Sequence, residues 1–208
     1  MPEYGNIADP TPDTPFVQEM IQAAEGRPVV GAFGSLAKRK GILTLLRAAE
    51  ELADVDCFFA IAGKLAPETF TPEDLAEIDQ RVAALGDKIW YRPVLIPTDG
   101  AFSALMQASA VSYIAYEDWP YSSGLQSIAA EFRIPCVVAD LGIMGERAQT
   151  YHTGLTIDPS DPIAAAAAIK QLLGTKLPVE GFERYTKQHR IEAFREDLCR
   201  FVELAAKA

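Results

Sequence analysis

Cysteine is scarce: Cys57, Cys136 and Cys199 are odd in number and far apart, which leaves neither a disulfide framework nor a Cys-x-x-Cys metal site. Cys57 and Cys136 fall inside apolar runs and read as small core residues. No apolar run approaches the roughly 20 residues that span a bilayer. The start, Met1-Pro2-Glu3-Tyr4, lacks the basic residues and apolar stretch of a secretory signal, so a cytoplasmic protein is expected. Positive charge is also in short supply, with 19 Lys and Arg against 29 Asp and Glu and a formal net charge of -10. That balance argues against a nucleic-acid binder and leaves room only for a local basic pocket. What is present, 49% hydrophobic and 23% charged residues over 208, suffices for one compact domain with no mark of disorder.

Residues 1–28 are acidic and carry several prolines, with one short amphipathic stretch from Val17 to Ala24; they read as a lead-in segment or linker. From Val29 onward strands and helices alternate. Val29 to Gly34 reads as a buried strand, and Ile42, Leu45, Leu46, Ala49 and Leu52 then recur at helical spacing. Cys57 to Gly63 repeats the strand, followed by a helix that Thr71-Pro72 opens, threonine capping and proline in the first turn. Further strands are expected over Lys88–Val94, Ala110–Tyr116, Pro135–Asp140 and Thr153–Asp158, and further helices over Thr98–Ala108, Ser123–Phe132, Gly145–Thr150 and Asp161–Leu173. One long helix, Phe182 to about Ala206, is expected to pack across the domain. Strands that are apolar throughout imply a parallel sheet covered on both faces. The expected fold is a doubly wound, Rossmann-like α/β domain over residues 29–175, with a C-terminal helix in 176–208 packed on it.

In such a sheet, ligands bind where strand C-termini lead into helix N-termini. Two loops fit. Gly34-Ser35-Leu36-Ala37-Lys38-Arg39-Lys40-Gly41 places three cations and two glycines between a strand and a helix, a setting in which amides, helix dipole and ammonium groups hold a diphosphate. It matches neither the dinucleotide fingerprint nor the P-loop, and a solvated surface turn is its alternative reading. Glu117-Asp118-Trp119-Pro120-Tyr121-Ser122-Ser123-Gly124 follows the most apolar strand. There the amides of Ser123, Gly124 and Leu125, with the Ser122 and Ser123 hydroxyls, offer a second phosphate contact, or one serine simply caps the helix.

Together these loops resemble the C-terminal, donor-binding half of GT-B-fold glycosyltransferases, in particular the retaining family 4 (group 1) enzymes, over roughly Val29 to Leu173. Gly34-Ser35-Leu36 with Lys40-Gly41-Ile42, Ala60-Ile61-Ala62-Gly63, Ser122-Ser123-Gly124 with Ala129-Ala130 and Pro135-Cys136-Val137-Val138, and Gly154-Leu155 with Asp158-Pro159-Ser160-Asp161 carry the similarity in one order. The resemblance implies that Lys40, within a site of Gly34, Ser35 and Lys38, contacts the diphosphate of a nucleotide sugar. It implies that Ser122, Ser123, Gly124 and Leu125 bind the phosphates, and that the nucleobase lies near the loop after Tyr91 to Val94, which includes Arg92 and Pro93. Lys64, Glu117 and Tyr121 are further candidates for the base or sugar pocket. It implies no metal and no cofactor, and an acceptor held by an N-terminal domain of the same or a separate chain. Through that domain, peripheral membrane association is possible.

The sequence also departs from that pattern. Ser35 stands where the family carries an arginine, leaving Lys38 or Arg39 to supply the charge. The family's two glutamates seven residues apart are missing: Glu117 is too far from Gly124, the second position falls at Ala129, and Glu131 lies on another helix face. These losses suit an alternative, a non-catalytic interaction or regulatory module. A sugar-nucleotide epimerase would need acid-base carboxylates and histidines in the cleft, whereas His152 reads as a structural or surface residue and His189 as solvent-facing on a charged helix.

Overall fold

The structure is a computed structural model that describes residues 7–189 and 191–205. Six strands, β1 (Val29–Phe33), β2 (Phe58–Ala62), β3 (Ile89–Arg92), β4 (Val111–Ile114), β5 (Cys136–Ala139) and β6 (Gly154–Ile157), form one parallel sheet in the order β3-β2-β1-β4-β5-β6. The fold is thus the doubly wound Rossmann-like α/β domain. Its central strands β1, β2 and β5 are apolar throughout because successive side chains enter different cores. In β1, Val30 and Ala32 join Phe59 and Ile61 of β2 on one face, while Val29 and Phe33 join Phe58, Ala60 and Ala62 on the other.

The first face is covered by α2 (Ile42–Glu51), α3 (Pro72–Leu85) and α7 (Pro162–Leu173). The second is covered by α1 (Pro15–Ala24), α4 (Asp99–Gln107), α5 (Gly124–Glu131) and α6 (Gly142–Tyr151). Helix starts follow local chemistry. Thr71 accepts from the Asp74 amide while the Asp74 carboxylate accepts from the Thr71 amide, a closed capping box, and Asp161 accepts from the amides of Ile163 and Ala164 ahead of Pro162. Within the segment read as a lead-in, α1 buries Val17, Met20 and Ala24 in the second core; residues 1–6 of that segment lie outside the described residues.

Two helix starts differ from expectation. The helix placed at Gly145–Thr150 begins earlier, at Gly142, where the chain turns at φ 65 and the Ile143 amide donates to the Pro120 carbonyl. The helix expected from Phe182 begins earlier, at Val179; it is described as α8 (Val179–His189) and α9 (Ile191–Ala205) on either side of residue 190, which, like its expected end at Ala206, lies outside the described residues. Phe182 and Tyr185 of α8 pack with Ala130 of α5 and Tyr151 of α6, which fixes that helix locally.

His189 also differs from its reading as solvent-facing. Its ring lies 4.5 Å from that of Tyr185 and 5.6 Å from that of Tyr151, and neither ring nitrogen has a hydrogen-bond partner among the described residues. Burial first, and the Arg147 charge second, push its pKa down from 6.5 to about 4. The unfolded imidazole therefore takes up a proton that the folded one refuses, so stability is complete above about 6.5 and falls as pH drops toward 4. Because the ring is partly exposed, the expected loss is on the order of 1–2 kcal/mol. Urea midpoints between about pH 7 and about pH 4.5 should fall for the wild type and stay flatter for His189→Phe. Glu77, held at about 2 first by its hydrogen bond from Arg47 and then by that from Arg81, loses its contribution in the separate window from 4.5 downward.

Candidate functional site

The strand order reverses between β1 and β4, and that gap at the strand C-termini is where an open α/β sheet admits a ligand. The loops after β1 and β2 run side by side there. The Gly34 amide donates to the Ala62 carbonyl at 3.0 Å, Leu36 donates to Lys64 at 2.9 Å, and Ala66 donates back to Leu36 at 3.0 Å. This pairing brings Gly34, Ser35, Gly63 and Lys64 to one rim of a pocket of about 330 Å³, completed by Leu95, Ile96, Thr98, Asp99 and Phe102 from the β3–α4 connection and α4. Its floor is apolar, with a carboxylate and an ammonium at the edge.

Between β1 and β4 the two loops singled out from the sequence meet. Residues Lys38–Lys40 form a 3-10 turn closed by Gly41 at φ 69, whose amide donates to the Lys38 carbonyl at 3.1 Å. Glycine is required there: a Cβ would sit 2.6 Å from the Ala115 carbonyl oxygen at the exit of β4. The turn aims Lys40 at the buried Tyr116, with Nζ 3.7 Å from the ring centroid. The Tyr116 hydroxyl lies 3.3 Å from Ser123 Oγ, which in turn accepts from the Leu125 amide at 3.3 Å and caps α5. A cavity of about 10 Å³, the space of about one water, is lined by Ser35, Lys40, Tyr113, Tyr116 and Leu125 among others. The Tyr113 hydroxyl has no hydrogen-bond partner among the described residues, and its burial raises its pKa. Ser35, Lys40 and Leu125 therefore line one crevice, to which Ser123 is joined through Tyr116; Gly34 lies on the rim of the larger pocket, and Gly124 opens α5 next to Ser123. Tyr113 and Tyr116 escaped the sequence reading because they count as two more apolar residues of a strand; the signal was a hydroxyl-bearing ring at its C-terminal end.

Other candidates point elsewhere. Lys38 pairs with Asp74 at 2.7 Å and belongs to the start of α3. Arg92 pairs with Glu19 of α1 and donates to the Tyr91 carbonyl, and the exposed Pro93 is not part of the pocket rim. Glu117 lines a separate groove of about 390 Å³ with Ala37, Lys38, Arg39, Thr69 and Asp118; burial raises its carboxyl pKa. Ser122 accepts from Trp119 Nε1 at 3.2 Å through its carbonyl. Tyr121, 60% exposed, meets Trp119 edge-on at 5.0 Å. Ala129 is fully buried, and Glu131, at the far end of α5, lines a different surface with Arg133 and Lys187.

These features define a Rossmann-like module with a narrow crevice lined by Lys40 and two tyrosines beside a largely apolar pocket. The chain belongs to the glycosyl transferases group 1 family, whose sequence profile matches residues 27–175. Its fold is similar to that of the sucrose-phosphate synthase of Thermosynechococcus elongatus, with 21% identity and a TM-score of 0.76 over 99% of this chain and 52% of that one. It is similar to the C-terminal domain of a glycosyl transferase group 1 family protein (LpcC) from Francisella tularensis, at 17% identity and TM-score 0.73, covering 91% of this chain and 99% of that one. A UDP-forming α,α-trehalose-phosphate synthase from Burkholderia xenovorans superposes at 13% identity and TM-score 0.71 over 92% of this chain and 47% of that one. The chain thus spans about half the length of two of these three proteins. No curated protein matches its sequence. Among the described residues no helix is long and apolar enough to cross a membrane.

Proposed function

We propose that the chain is the donor-binding domain of a retaining family 4 glycosyltransferase, a cytoplasmic enzyme that transfers a hexosyl group from a nucleotide sugar. The observation that carries this reading is the link Lys40–Tyr116–Ser123, which joins a cation to the capped N-terminus of α5 at the sheet's switch point. Negative charge grows on the departing nucleoside diphosphate, and an ammonium with a helix N-terminus is the environment that stabilises it without a metal ion. The pocket of about 330 Å³ under Leu95, Ile96 and Phe102 is of a size and polarity for a nucleobase. The acceptor would be held by an N-terminal domain. Five large hydrophobic side chains left exposed, Val94, Leu95, Tyr121 and Leu141 on loops that follow strands and Ile143 in the first turn of α6, lie at the C-terminal edge of the sheet, where such a domain would close the cleft.

A second reading, a non-catalytic module of the same fold, is favoured by one observation: Ala129 is buried at the position where a ribose-binding carboxylate is expected. Thermal unfolding with a panel of uridine and guanosine diphosphate sugars separates the two. A donor at about 100 times its Kd should add about 2.7 kcal/mol and raise Tm by about 5–10 °C. An unchanged Tm across the whole panel at millimolar ligand would leave the non-catalytic reading standing.

A further inference from the structure

We propose that Tyr113 is a positioning residue of the crevice: through one bound water, its hydroxyl holds the Lys40 ammonium in the direction that meets the donor. The assignment rests on the donor-binding reading above. Position 113 lies in β4, and its ring joins the first core beside Val30, Ala115 and Val137. Phenylalanine would fill that core with the same ring, so only the hydroxyl is surplus to packing. It is a costly group to bury alone. The residue is 2% exposed, and its oxygen has no hydrogen-bond partner among the described residues.

Two observations place that hydroxyl beneath the Lys40 turn. A Cβ on Gly41 would come 3.3 Å from Tyr113 Oη, so the oxygen lies against the residue that follows Lys40 and opens α2. The cavity of about 10 Å³ is lined by Tyr113 and Lys40 together, with the exposed Ser35 as a third polar residue. That space admits one water and nothing larger, and a buried water needs two to four polar partners. Tyr116 turns its own hydroxyl to Ser123, and the rest of the lining is apolar, so the partners are these three. Burial first, and the Glu117 charge second, keep the phenol protonated, which makes it a donor. An ammonium only donates. A water that accepts from both has its lone pairs filled and sends its hydrogens the other way, toward Ser35 and an arriving phosphate oxygen. Held by the Tyr116 ring and by that water, Lys40 loses little further freedom when the donor binds.

Isothermal titration of the full chain with uridine diphosphate and guanosine diphosphate tests this in Tyr113→Phe, Lys40→Ala and the double variant. Tyr113→Phe is expected to weaken the preferred diphosphate about fivefold, the worth of one hydrogen bond. In the Lys40→Ala background the same change should weaken it less than about twofold, because the group it positions is gone. A merely structural role would act alike in both backgrounds. The Tm of Tyr113→Phe should stay within about 2 °C of the wild type, since hydroxyl and water leave together and the ring remains. A high-resolution crystal structure of the wild type should show one water within about 3.2 Å of Tyr113 Oη, and that of Tyr113→Phe should show none. Binding by Tyr113→Phe equal to wild type overturns the assignment, as does a fivefold loss repeated in the Lys40→Ala background or a wild-type cavity that holds no water. If one of these is found while Lys40→Ala still weakens binding, the donor-binding reading survives and only the role of Tyr113 falls. A wild-type chain that binds neither diphosphate removes both.

Discussion

Replacing Gly63 with alanine is expected to destabilise the domain by roughly 3–5 kcal/mol, enough to unfold much of a chain whose total stability lies in the range of about 5–15 kcal/mol. Gly63 follows β2 at φ 148, and its amide donates to the Arg92 carbonyl at 3.0 Å. An added Cβ would overlap the carbonyl group of Gly34. Neither partner is a flexible side chain that can move aside. Both are main chain at the end of the β1–β2 ladder, where the Gly34 amide is already bonded to Ala62. Strain at such a backbone angle costs about 1–3 kcal/mol, and forcing atoms into a packed site costs about 1–3 kcal/mol more. Gly26→Ala is the control. It has φ 80 but nothing within 4 Å of the new methyl, so only the conformational part, about 1–2 kcal/mol, should appear in urea unfolding. A Gly63→Ala midpoint no lower than that of Gly26→Ala would mean that the two loops do not meet as closely as described. The same substitution should abolish ligand binding in whatever fraction still folds, because Gly34 and Gly63 form one rim of the pocket of about 330 Å³.

The order of strands and helices was legible because punctuation and pattern agreed. Thr71-Pro72 and Asp161-Pro162 mark helix starts by capping chemistry that is local in sequence. The parallel, two-sided sheet was legible from strands such as Phe58–Ala62 in which every residue is apolar. The start of α8 was not, since its position is set by Phe182 and Tyr185 packing against α5 and α6, contacts distant in sequence. For the same reason His189 read as solvent-facing, although its neighbours Tyr151 and Tyr185 lie 38 and 4 residues away in sequence. At the site, glycines, cations and serines pointed to two loops that the structure brings together through Lys40, Tyr116 and Ser123. Which of Lys38, Arg39 and Lys40 faces the crevice depends on the phase of a three-residue turn and on where Asp74, Trp119 and Tyr116 stand, which no local pattern records.

Lys40→Ala should weaken binding of a nucleoside diphosphate or its sugar by roughly 10- to 100-fold while leaving the fold intact. A hydrogen bond to a charged group contributes about 1.5–3 kcal/mol, which converts to that range of affinity, and the site that Lys40 serves is half closed by Tyr116, so screening by water is reduced. The folded chain without ligand has less to lose. Its contact with the Tyr116 ring contributes about 0.5–2 kcal/mol, and alanine is tolerated at the C-terminal residue of a 3-10 turn. Binding and stability should therefore separate, with a large rise in Kd and a Tm lowered by no more than a few degrees. Lys40→Arg is expected to fall between, because the charge remains but the larger head group must fit a crevice of about 10 Å³. Tyr116→Phe supplies the complementary result: the ring under the ammonium stays, the contact with Ser123 is lost, and the effect on affinity should be smaller than that of Lys40→Ala. If Lys40→Ala binds donor as tightly as wild type, the ammonium serves the fold and not the ligand, and the stabilisation of the leaving diphosphate would have to come from the N-terminus of α5 alone. A helix end contributes typically 0.3–1 kcal/mol to a neighbouring charge, too little by itself to hold a nucleotide sugar at millimolar concentration.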